Sequence, residues 1–170
     1  MRYNQNMRHP RVDSDYLRSV LFGIEDGLVS TTGVVVGMTA GVRDPKIIVL
    51  AGLVTIAVEA LSMGAGEFLS EQAVHELEAS KHRDSLVVGA LLMFVSYFAA
   101  GMIPVIPFLL FNLATAIAVA VAAAFVSLFG LGYIKGKVTG VRALRSGLEI
   151  FAIGGAAALI GVVVGLLLKV

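Results

Sequence analysis

Cysteine is absent from the 170 residues, which excludes disulfides, thiolate metal sites and cysteine nucleophiles but leaves the compartment open. Charge is scarce too: Asp, Glu, Lys and Arg make up 15% of the chain, and the net charge is +1. So even a balance offers no electrostatic footprint for nucleic acid or for an acidic partner, and only the placement of the charges is informative. A soluble domain of any size is also missing, so function is expected in a lipid bilayer or at its edges. What the chain has in excess is apolar surface, with 58% hydrophobic residues and a mean hydropathy of +0.91. Such a composition predicts an all-α integral membrane protein. The first apolar segment is too long for a cleavable signal and lacks a small-residue cleavage pattern, so it reads as a retained helix.

Residues 1–16 are polar, contain Arg2, Arg8 and Arg11 and show no apolar period, which predicts a cytoplasmic surface arm. Residues 17–170 then divide into five spans, at about 17–42, 46–70, 85–103, 108–134 and 147–168. Arg43-Asp44-Pro45 is a turn, because proline disfavours helix in the residue before it. Good helix formers without Gly or Pro fill 71–84, so the second helix is expected to extend into water. Pro104 and Pro107 predict a turn or strong kink after the third span. In this arrangement Arg2, Arg8, Arg11, Arg18, Lys81, Arg83, Lys135, Lys137, Arg142 and Arg145 fall on one side, against Arg43, Lys46 and Lys169 on the other. The positive-inside rule then places the N-terminus and the 71–84 extension in the cytoplasm and the C-terminus outside it.

The second span carries Glu59, Met63 and Glu67 four residues apart, which puts them on one helical face. Ionisable groups at that depth require a function or a partner. The short turn makes spans one and two an antiparallel hairpin, and Asp26 and Met63 stand almost equally far from Asp44 along its two arms. A carboxylate and a thioether are therefore level, with Glu59 one turn, about 5 Å, further out and Glu67 one turn nearer the cytoplasm. Carboxylates suit hard divalent ions, and a thioether adds the softness that a late ion such as Fe²⁺ tolerates, so Asp26, Glu59, Met63 and Glu67 form a candidate transition-metal column. The bland alternatives are packing for Met63 and a membrane-surface position for Glu67. Glu25 points about 100° away from Asp26, as a pore-edge group or a partner of Arg18.

Gly33, Gly37 and Gly41 recur every fourth residue, as do Gly23 with Gly27 and Gly161 with Gly165, so close helix contacts are expected there. For Gly27, Gly33 and Gly37 the choice lies between span two of the same subunit and a dimer seam. One subunit offers few donors at a given depth, whereas a two-fold homodimer with span one near its axis doubles them. On the extension, Glu71, Glu76 and the set His75, Glu78 and His82 could collect metal before entry. A solvated amphipathic helix has the same spacing by chance. Glu149, at a helix N-terminus where a carboxylate is favoured, is assigned no role.

The runs FGIEDGLVSTTGVVVGMTAG (22–41) and EALSMGAGEFLSEQ (59–72) resemble the paired signatures of the vacuolar iron transporter family, and PVIPFLLF (104–111) is similar to that family's third-span ending. The resemblance covers about residue 17 onward. It implies a dimeric five-span fold and export of Fe²⁺, or Mn²⁺, from the cytosol in exchange for protons, with the membrane metal site mapping onto Asp26, Met63 and Glu59. Two features depart from the pattern. Residues 71–84 stand where plant members carry a sizeable acidic cytoplasmic domain, which suggests a reduced, prokaryotic branch in a plasma membrane, and Glu25 occupies a position where a neutral polar residue is expected.

The leading expectation is thus a proton-coupled divalent-metal exporter, not an enzyme and without a cofactor, whose carboxyl groups release protons as metal binds. A membrane scaffold or sensor using 71–84 to hold a cytosolic partner is the alternative. An intramembrane hydrolase using Asp26 and Glu59 ranks last, since nothing supplies a substrate gate.

Overall fold

The computed structural model describes residues 14–78 and 85–168. Within them the chain is all helix, with α1 (Ser14–Gly41), α2 (Pro45–Glu78), α3 (Leu86–Leu110), α4 (Leu113–Thr139) and α5 (Ala143–Leu167). All five are long and apolar enough to cross a bilayer. Backbone groups in hydrocarbon must be satisfied internally, and unbroken helices achieve this.

The ends of these helices have local causes. Asp44 accepts a hydrogen bond from the Lys46 backbone N–H at 2.9 Å, and Pro45 occupies the first helical position of α2, where its missing N–H costs nothing. Asn112 caps α4 by accepting from the Thr115 N–H at 3.1 Å. Gly140, with φ +74°, closes α4 in the left-handed region that only glycine enters freely.

Several boundaries differ from the sequence expectation. α3 does not turn or end at Pro104 but continues through both prolines to Leu110, where the Phe111 N–H donates to the Pro107 carbonyl at 2.9 Å. Proline costs a helix a backbone bond, but in an apolar medium opening the helix would strand more groups than it relieves. The α3–α4 connection shrinks to Phe111–Asn112, and α4 runs on to Thr139, so Lys135 and Lys137 lie on its final turns instead of in a loop. α2 is unbroken to Glu78, carrying the extension out of the span as one helix; the rest of the extension and residues 1–13 lie outside the described residues.

α1 is the central and most enclosed helix, touching each of the other four. One core cluster joins Val35, Ile48, Ile56, Val105 and Phe108 with Ala116 and Ala120, and a second joins Leu28, Ala100, Leu128 and Ile150. Large apolar residues such as Leu50, Val58, Leu91, Val126 and Leu159 point outward, which suits a lipid environment. The glycine repeat of α1 does meet a close neighbour, but it is α5 of the same chain, not α2. A Cβ on Gly37 would stand 2.6 Å from the Gly161 carbonyl oxygen, and Gly41 meets Gly165 in the same way. Gly23 and Gly27 instead lie against the backbone of α3 at Met93 and Tyr97.

Candidate functional site

The α1–α2 hairpin and α3, which runs parallel to α1, form a three-helix seam whose levels are set by these close approaches. At the N-terminal end of α1, Ser19, Glu67 and Gly89 share one level. Further along, Ser30, Glu59 and Tyr97 share another, and beyond it Thr31, Ile56 and Gly101. Past that point the seam is apolar, closed by Val35, Ile48 and Val105, each with no exposed surface.

The deep polar level is a chain of hydroxyls joining three helices. The Tyr97 hydroxyl donates to Glu59 Oε2. Ser30 Oγ lies 2.5 Å from the Tyr97 oxygen and 2.7 Å from the Asp26 carbonyl oxygen, and its single hydrogen serves one of the two at a time. Tyr97 is completely buried, whereas Glu59, Asp26 and Met63 are half-buried. Asp26 carries its carboxylate one turn before Ser30, within the electrostatic reach of Glu59 and of Glu25. Carboxylates gathered at membrane depth repel one another when ionised, and a divalent cation relieves that repulsion.

The level nearer the α1 N-terminus is an ion-paired mouth. The Arg18 guanidinium pairs with Glu71 and lies 3.5 Å from Glu67, while Ser19 Oγ donates to Glu67. Arg18 therefore reaches Glu67 and Glu71 of the neighbouring helix, not Glu25. Glu67, Glu71 and His75 follow one face of α2 and line a small cavity with Asp15, Tyr16 and Ser19. Glu76 turns aside and accepts from Gln72 at 2.9 Å. Glu78 is the last residue of α2, and His82 lies outside the described residues. Glu149 pairs with Arg145 one turn back, 2.9 Å away.

Among the described residues no three His, Asp or Glu side chains converge as a metal cage. One chain thus brings Asp26 near Glu59, and Glu67 near Glu71, but keeps the two levels apart. Sequence reasoning missed Tyr97, Ser30 and Ser19. Ser30 follows Asp26 by one helical turn and was findable on that ground; Tyr97 was not, because an aromatic hydroxyl in an apolar span has no pattern that names its partner.

A family model described as the VIT family matches residues 17–86 and 74–166. An uncharacterised protein of Methanocaldococcus jannaschii is 30% identical over 155 residues, covering 79% of this chain and 81% of that one. Vacuolar iron transporter homolog 2 of Oryza sativa is 28% identical over 86% of this chain and 87% of its own length. Vacuolar iron transporter homolog 2 of Arabidopsis thaliana is 37% identical, over 44% of this chain and 39% of its own.

Proposed function

The chain belongs to the VIT family, and on that premise we propose that it is a multi-pass transporter of divalent transition metal, moving Fe²⁺, and Mn²⁺ as a second substrate, out of the cytosol in exchange for protons. The observation that supports this reading is Glu59, bonded by Tyr97 at a deep polar level of a membrane hairpin beside Ser30, one helical turn beyond Asp26. Met63, between Glu59 and Glu67 on α2, adds a soft donor that favours Fe²⁺ over the hard alkaline-earth ions.

Asp26, Glu59 and Met63 are too few for the six or so donors a divalent ion takes. A two-fold homodimer supplies a second set across its axis. An apolar groove of about 700 Å³ along the α1–α5 face, with Ser30 and Val34 on one wall and Ile160 and Val164 on the other, leaves part of α1 open for such a mate. The carboxyl groups must shed protons to take up metal, which couples the two fluxes in opposite directions. By the charge placement the Arg18–Glu67–Glu71 mouth faces the cytoplasm, and cargo enters there, in a prokaryotic plasma membrane. Glu71 and His75 stand at that entrance as collecting groups.

The test is metal-dependent proton movement in proteoliposomes containing the wild type, Asp26→Ala or Met63→Ala. Both variants are expected to lose most Fe²⁺ transport along with its proton counterflow. Wild-type Fe²⁺ uptake in both would overturn the assignment.

A further inference from the structure

We propose that Tyr97 is the positioning residue for Glu59: it anchors the carboxylate from behind and so sets how tightly the transported ion is held. The inference rests on the transport reading above and adds to it a residue on a third helix. Tyr97 has no exposed surface, so its hydroxyl cannot exchange its partners for water. It donates to Glu59 Oε2 and accepts from, or lies against, Ser30 Oγ at 2.5 Å, while Ser30 in turn reaches the Asp26 carbonyl at 2.7 Å. One rigid ring on α3 thus joins Ser30, on the helix that bears Asp26, to the side chain of Glu59 on α2.

The approach that makes this possible is built into the packing. Gly27 of α1 lies directly against the backbone of Tyr97, so that α3 sits close enough for the hydroxyl to reach between α1 and α2. A larger residue at 27 would push the ring away. Glu59 itself is only partly buried, with Oε2 bonded by Tyr97. A carboxylate bonded from the protein side keeps one orientation and presents its remaining lone pairs to the cation. Outer partners of this kind orient metal ligands and, when lost, commonly weaken metal binding about 10- to 100-fold.

The experiment uses the full chain reconstituted in liposomes, with Tyr97→Phe, Ser30→Ala and Asp26→Ala beside wild type. It reads initial rates against Fe²⁺ concentration and, in detergent, the visible absorption of bound Co²⁺. Phe keeps the ring and its packing, so Y97F is expected to raise the apparent KM for Fe²⁺ about 10-fold or more while the maximal rate stays within about two-fold of wild type. S30A should shift KM in the same direction by less, and the Co²⁺ bands of Y97F should move. A wild-type KM and unaltered Co²⁺ bands in Y97F would make Tyr97 a packing residue only and overturn the inference. If Y97F does not yield monodisperse protein, S30A decides by the same two readouts. Transport abolished by Asp26→Ala but untouched by Y97F defeats the Tyr97 assignment alone, whereas Fe²⁺ transport that ignores Asp26→Ala defeats the transporter reading itself.

Discussion

Met63 separates packing from coordination better than any other single side chain. Met63→Leu keeps the volume and removes the sulfur, so a packing role predicts no change, whereas a ligand role predicts lower Fe²⁺ and Co²⁺ uptake relative to Mn²⁺. We expect the second outcome, by several-fold in a competition assay with mixed ions. Thr31 presents the opposite case. Its hydroxyl is fully buried without a hydrogen-bond partner, beside Ile56 and Gly101. An orphaned hydroxyl costs free energy that an isosteric methyl does not, so Thr31→Val should stabilise the protein by about 1 kcal/mol, read as a higher midpoint in detergent unfolding. Neither prediction could come from hydropathy, which scores Met63 and Thr31 as unremarkable members of apolar spans.

Helices were the most legible elements in the sequence, because a bilayer demands long apolar segments with internally satisfied backbones, and hydropathy records that demand directly. The depth of Glu59 was legible as well, since a three-residue turn fixes the hairpin register, and Glu59 shares the partner Tyr97 with Ser30, one turn past Asp26. The course of α3 through Pro104 and Pro107 was not, because proline's local penalty is visible in sequence and the larger cost of breaking a helix in hydrocarbon is not. Nor was the partner of the α1 glycines: spacing states that something comes close, but α5 presents the same small-residue repeat as any dimer mate would. Glycine positions also give a paired test at this scale. Gly140→Ala forces a left-handed residue and should cost about 1 kcal/mol. Gly66→Ala, in open space on α2, should gain about 0.5–1 kcal/mol from helix propensity. Thermal unfolding of both variants in one detergent checks the signs.

For the whole molecule, the natural absence of cysteine makes any introduced thiol unique. Val34→Cys, on the open α1 wall of the groove, should cross-link between copies in native membranes if α1 lines the two-fold axis, and Leu159→Cys, on the outer face of α5, should not. A doubling of the 17.8 kDa chain on a non-reducing gel is the readout. The α1–α5 seam has a different consequence, in time rather than in space. During synthesis α1 enters the membrane before α5, so the partner of Gly33, Gly37 and Gly41 follows four helices later. Pairings so distant in sequence form late, and until they form their surfaces stay open to wrong partners. α1 must therefore wait in the lipid with its narrowest strip uncovered while α2, α3 and α4 are inserted. A nascent chain stalled after Thr139 should be short-lived in pulse-chase, and supplying α5 as a separate peptide should lengthen its life.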